Sequence, residues 1–155
     1  MCLAINKRAT ARIRKILKEK GKISVWKYLT FHPGKKGKLA KLSSVAFKRT
    51  KWKPGENVSN RTSIKLTDSE NSWGIVERGF HFYLKRPPNA KAYYYLQPVR
   101  CVVKAEDFVA AGRSQATDNE AVVFMKATLS TKEYKRVLGL AEKLKREFKM
   151  ICEQN

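Results

Sequence analysis

Lys35, Lys36, Lys38 and Lys41 form one cationic cluster, and Lys48, Arg49, Lys51 and Lys53 form a second that encloses Trp52. A third set, Arg12, Arg14, Lys15 and Lys18, lies in a segment of helical periodicity. Lysine ammonium groups are point charges suited to phosphate oxygens, and an exposed tryptophan can stack on a base for about 1–3 kcal/mol. These residue types therefore point to recognition of a phosphate backbone. The alternative for the same residues is a solvated cationic face with Trp52 packed inward. Pro33-Gly34-Lys35-Lys36-Gly37-Lys38 has the composition of a phosphate loop but lacks the Gly-Lys-Ser/Thr ending of a Walker motif. No zinc-finger, RNA-recognition or basic-zipper pattern accompanies the charge, so no base sequence preference is implied.

Other chemistries find less support. Cys2, Cys101 and Cys152 are too few and too scattered for a disulfide framework. His32 and His81 lie far from them, with no Cys-x-x-Cys or His-x-x-x-His spacing, so no metal site is expected. Nothing marks a Ser-His-Asp or Cys-His triad. Cys2 would become N-terminal after Met removal, but no flanking pattern marks it as a nucleophile.

The 155 residues carry 34 Lys+Arg against 13 Asp+Glu, a net +21. Residues 1–53 hold 17 Lys/Arg against the single acid Glu19, a net +16; residues 54–155 hold 17 against 12, a net +5. A polyanionic partner is the natural reading of such an asymmetry. At 43% hydrophobic the chain can build a core. It has no run of roughly 18 apolar residues, so no membrane span is expected. The start, Met-Cys-Leu-Ala-Ile and then basic residues, reverses the order of a secretory leader, which makes the cytosol the expected compartment.

The elements that must position these residues follow from periodicity. Residues 3–20 predict a basic amphipathic helix with Ile5, Ala9, Ile13, Ile16 and Leu17 inward and Gly21 as its stop. Residues 23–31 alternate as a strand with Ile23, Val25, Leu29 and Phe31 on one face, interrupted by Lys27. Short strands are expected at 43–48 and 62–66, basic loops at 33–38 and 48–56, and a polar loop at 67–73. Apolar character returns at 74–84. Pro87-Pro88 predicts a short helix over about 88–95, and residues 99–105 and 121–129 read as strands. Ser130-Thr131-Lys132-Glu133 is a capping-box signature opening a helix with Tyr134, Val137, Leu138, Ala141, Leu144, Phe148 and Ile151 on one face.

A second set of motifs begins at Gly79. Gly79-Phe80-His81-Phe82 precedes Ala90-Lys91-Ala92-Tyr93, the strand Val99–Val103 and then Asn119-Glu120-Ala121-Val122-Val123-Phe124. Over roughly 79–124 this order resembles ADP-ribosyltransferases of the poly-ADP-ribose polymerase and diphtheria-toxin type, and also small Gly-Phe-His domains of uncharacterised bacterial and phage proteins. The first resemblance implies NAD as cofactor. It places His81 at the family's strand tyrosine, Tyr93 at the tyrosine stacked on nicotinamide, and Glu120 at the catalytic glutamate. A carboxylate there would stabilise a developing oxocarbenium ion. The chain departs from the family in its first strand, where Val25-Trp26-Lys27-Tyr28-Leu29 lacks the His-Gly or Arg-Gly pair that grips the dinucleotide. For the same residues taken singly, a strand histidine, packing tyrosines and a surface acid are the plain alternatives.

Together these features predict one α+β domain over residues 1–155. A mostly antiparallel sheet would be flanked by the basic N-terminal helix and the amphipathic C-terminal helix, with an ADP-ribosyltransferase-like core as an option. The leading function is non-enzymatic binding of a polyanion, most naturally nucleic acid. The alternatives are an active or degenerate NAD- or nucleotide-binding transferase relative, and a viral accessory protein in the host cytoplasm. The last would grip a protein of a nucleic-acid complex or sequester a phosphorylated nucleotide.

Overall fold

A computed structural model describes residues 3–45, 50–59, 63–65, 74–88, 95–114 and 119–154. In chain order the elements are β1 (Leu3–Ile5), α1 (Lys7–Lys20), β2 (Lys22–His32), β3 (Lys41–Ser44), β4 (Lys51–Trp52) and β5 (Gly55–Val58). Then come β6 (Ser63–Lys65), β7 (Ile75–Arg78), β8 (Phe80–Tyr83), β9 (Leu96–Lys104), a 3-10 turn at Ala105–Asp107, β10 (Phe108–Ser114), β11 (Glu120–Phe124), β12 (Lys126–Leu129) and α2 (Thr131–Gln154). This is an α+β fold in which every described strand pairing is antiparallel. The helix expected at 88–95 and the loop expected at 67–73 fall largely or wholly outside the described residues.

The first helix is shorter than its periodicity predicts. Leu3–Ile5 is a strand between β10 and β7, with Leu3 buried. Asn6 then caps α1, its side chain accepting from the Ala9 N–H at 2.9 Å. Ile5 fits a helical stripe and a strand equally well, and strand pairing decided the matter. Gly21, at φ 74°, ends the helix as expected, its N–H bonding to Leu17 O.

The strand order is β5-β12-β9-β2-β8-β11-β10-β1-β7-β6, with β3 on β2 and β4 on β3. The stretch expected as one strand over 121–129 breaks at Met125, whose N–H donates to Asp107 O at 2.8 Å. The 3-10 turn faces that break, so β9-β10 and β11-β12 form two paired strands interrupted at the same level. Gly79 alone joins β7 to β8, although three strands stand between them in the order. Two residues separated by one link lie within about 7 Å, so the sheet must curl to bring β7 back beside β8. Gly79 supplies the turn with φ 119°.

Curling gives β8 and β11 two covered faces. Phe80, Phe82, Val122 and Phe124 join the larger core with Ile13, Leu17, Val25, Leu29, Phe31, Trp52, Val137 and Ala141. Ala121 and Val123 join a smaller one with Leu3, Val76 and Ala110. Burial on both faces explains the unbroken apolar run Ala121–Phe124. In α2, Ser130 Oγ accepts from the Glu133 N–H at 3.1 Å, as the capping signature predicts. The first half of that helix is the more deeply buried. Val137 and Ala141 are buried, whereas Phe148 and Ile151 are 49% and 59% exposed.

Candidate nucleic-acid interface

Ile13 and Leu17 anchor α1 on the core, so Arg12, Arg14, Lys15 and Lys18 are exposed. They do not behave alike. Arg12 pairs with the Glu120 carboxylate, and Arg14 lies over the Phe108 ring at 5.9 Å from its centroid. Among the described residues no carboxylate stands within ion-pair reach of Lys15 or Lys18.

The second basic region sits at the far end of β2. Lys35, Lys36 and Lys38 are exposed in the connection from β2 to β3, which turns at Gly37 with φ 76°. Lys41 opposes His32 in the β2–β3 ladder, and Lys51 opposes Ser43 in β3–β4. The hairpin is held from below. His32 Nε2 bonds to Ser43 Oγ at 2.7 Å. The Lys53 N–H donates to Asn57 Oδ1 at 3.0 Å, and Asn57 Nδ2 returns to Lys53 O at 2.9 Å. Asn57 fixes the turn that presents Lys53; an Asn in a Pro-Gly-Glu-Asn turn was its only sequence signal. No described carboxylate pairs with Lys35, Lys36, Lys38, Lys41, Lys51 or Lys53. Arg49 lies outside the described residues.

Trp52 corrects the stacking expectation. It is 2% exposed, its ring 4.7 Å from that of Phe80, and its Nε1–H donates to Ser44 Oγ at 2.9 Å. Strand alternation turns Lys51 outward and Trp52 inward. A tryptophan with a buried hydrogen-bond partner and an aromatic neighbour is a core anchor, unable to meet a base.

Of the residues from the transferase resemblance, His81 and Glu120 are not brought together. Val123 opposes His81 in register, so His81 faces the smaller core. Glu120 has the parity of Val122 and Phe124 and faces the side where α1 packs. His81 is 5% exposed, with Nδ1 3.2 Å from Gly79 O and Nε2 3.1 Å from Val76 O. Desolvation, reinforced by Lys27, outweighs those carbonyls and lowers its pKa. A neutral ring can donate to only one of the two. Glu120 instead lines an open cleft of about 480 Å³ with Asn6, Ala9, Gly112, Arg113 and Asn119. Tyr93 and Cys2 lie outside the described residues.

Lys27 is the residue whose meaning the sequence left open. It shares the inward face of β2 with Val25 and Leu29. Its Nζ donates to His81 O at 3.0 Å and lies 5.7 Å from the Phe82 ring centroid. Desolvation lowers the ammonium to about 8. Burial pushes the Cys101 thiol, on the adjacent strand, up to about 12, so it is a packing residue and no nucleophile. The signal was legible, since period-2 alternation points residue 27 inward.

Among the described residues no three His, Cys, Asp or Glu side chains group to hold a metal, and no helix is long and apolar enough to cross a membrane. In comparisons with known proteins, no family model, curated protein or solved structure matches the chain.

Proposed function

We propose that the protein binds nucleic acid through its N-terminal basic surface, without turnover. The observation that carries this reading is that Lys15 and Lys18 on α1 and Lys35, Lys36, Lys38, Lys41, Lys51 and Lys53 at the β3–β4 end are exposed with no described carboxylate in ion-pair reach. Such cations repel one another in the free protein and gain most from an external polyanion. Fluorescence anisotropy with labelled DNA and RNA tests it. If six to ten cations meet phosphates, affinity falls about 10³–10⁵-fold between 50 and 200 mM salt. No salt-dependent binding at micromolar protein would end the proposal.

A second reading, binding of NAD or another nucleotide with or without transfer, is favoured by one observation. Glu120 lines an open cleft beside Arg12 and Arg113. It would rest on Glu120 and not on the sealed His81. Incubation with labelled NAD and cell extract or isolated DNA and RNA tests it. Transfer unchanged by Glu120→Gln would remove that residue from any role.

A further inference from the structure

We infer that the nucleic acid is a duplex, gripped along its backbone at two places about one helical turn apart; this rests on the binding proposed above. The first support is the distance between the cationic ends. Lys18 and Lys20 close α1 and Lys22 opens β2, so these three stand at one end of that strand. Lys35, Lys36, Lys38 and Lys41 stand at the other. Eleven extended residues separate the ends, which is about 33 Å at about 3.3 Å per residue. One turn of duplex is about 34–36 Å. Phosphates on one face of a duplex therefore recur at the spacing of the two lysine groups.

The second support is a like-charge pair. Lys22 lies directly opposite Lys104 in the β2–β9 ladder, and both are exposed. Like charges directly opposite are destabilising. Asp107 feels Lys104 but makes no ion pair with it. A phosphate between the two ammonium groups removes the repulsion, which marks this end as an anion contact.

The third support is what the basic surfaces lack. Single-strand grooves stack successive bases on aromatic rings. Neither α1 nor residues 33–45 contain an aromatic residue, and Trp52 is sealed. Tyr95 is 43% exposed and lies at the second end, its carbonyl accepting from the Phe31 N–H. Trp26 and Tyr28, half-buried on the outward face of β2, are already engaged, Trp26 beneath Arg86 at 5.5 Å and Tyr28 by the Tyr83 ring and Pro88 O. Among the described residues the two lysine groups thus lack a row of open rings, which suits the regular backbone of a duplex, DNA or RNA, read by charge and spacing.

The test is anisotropy at 100 mM salt with DNA and RNA duplexes of 8, 12, 16 and 24 base pairs and single strands of matched length. Affinity per available position should step up about tenfold between 8 and 16 base pairs, and duplex should exceed single strand by about tenfold. The DNA and RNA arms show which duplex is preferred. The variants Lys35→Gln/Lys36→Gln/Lys38→Gln/Lys41→Gln and Lys22→Gln/Lys104→Gln should each erase the step while an 8-base-pair duplex still binds the other end. Circular dichroism melts verify that these exposed changes leave the fold intact. Single strands binding as tightly as duplexes, or affinity growing only in proportion to length, would overturn the inference and leave nucleic-acid binding standing. Absence of binding to every probe would overturn both.

Discussion

Lys22 at one end of β2, Lys41 on β3 opposite its other end and Lys27 in its middle are the same residue type in different settings. Lys22 and Lys41, at the end and in the facing ladder, are exposed to water. Lys27 puts its ammonium over an aromatic ring and against a backbone carbonyl, where desolvation lowers its pKa to about 8. The difference teaches that the charge count overstates the binding surface. Some of the +16 in residues 1–53 is taken up by the protein's own groups: Lys27 is turned inward, and on the surface Arg12 is paired with Glu120 and Arg14 is laid on Phe108. Among the described residues, Lys15, Lys18, Lys35, Lys36, Lys38, Lys41, Lys51 and Lys53 have no carboxylate in ion-pair reach and can answer to an outside polyanion.

Perturbing the two populations should give opposite results. The largest effect is expected at the boundary between them. Trp52→Ala should cost about 3–5 kcal/mol in denaturant unfolding, as for other buried large aromatics, while Lys51→Gln next to it should leave stability unchanged. Equal losses would mean that β4 does not divide inside from outside. Next, Lys27→Met should stabilise the protein at pH 7 by at most about 3 kcal/mol, the equivalent of the pKa depression. In the unfolded chain the amine titrates near 10.5 and in the folded one near 8. Between those values the unfolded state holds the extra proton, so wild-type stability rises with pH. The advantage of Lys27→Met should therefore shrink from pH 8 to 10.5. A constant advantage across that window would show that Lys27 is not desolvated.

Glu133 provides the acidic counterpart. Burial alone would raise its carboxyl, but Arg136 at 2.6 and 2.8 Å, the Arg100 N–H at 3.1 Å and both positive charges outweigh it and hold it below its ordinary value. Its contribution is present above the unfolded pKa and lost as pH falls through the folded one. Glu133→Gln should cost about 1–2 kcal/mol at pH 7, with the gap to wild type closing in acid. A gap that persists at pH 2 would contradict this account. The smallest effect belongs to the exposed pair. Glu120→Gln should change stability by less than about 0.5 kcal/mol, because the ion pair with Arg12 is solvent-screened. A larger loss in a thermal melt would show that Glu120 holds α1 in place.

Legibility varied by element for physical reasons. The alternation in 23–31 and the Ser130 cap were plain because each is a local pattern. β1 was missed because three residues carry no period of their own. β10 was missed because Phe-Val-Ala-Ala-Gly-Arg-Ser lacks the β-branched run that marks a strand. Its small residues answer a neighbour instead: a Cβ at Gly112 would come within 1.8 Å of Ala4 O on β1. Of the residues singled out for chemistry, Lys15, Lys18, Lys35, Lys36, Lys38, Lys41, Lys51 and Lys53 are exposed. Trp52 and His81 are not, since the partners that bury them, Ser44 and Phe80 for one and Val76 and Val123 for the other, come from separate strands.

By itself the sequence determined the charge asymmetry, the α+β class, both helices apart from the start of α1, and the parity of residues in the strands it marked, as at 23–31. These depend on composition and on spacing along one segment. The tertiary structure alone decided which face became a second interior, why Lys27 is desolvated while Lys22 is not, and that His81 and Glu120 point to opposite sides. Burial depends on what the rest of the chain places overhead, and here that follows from the curl that returns β7 to β8 through Gly79.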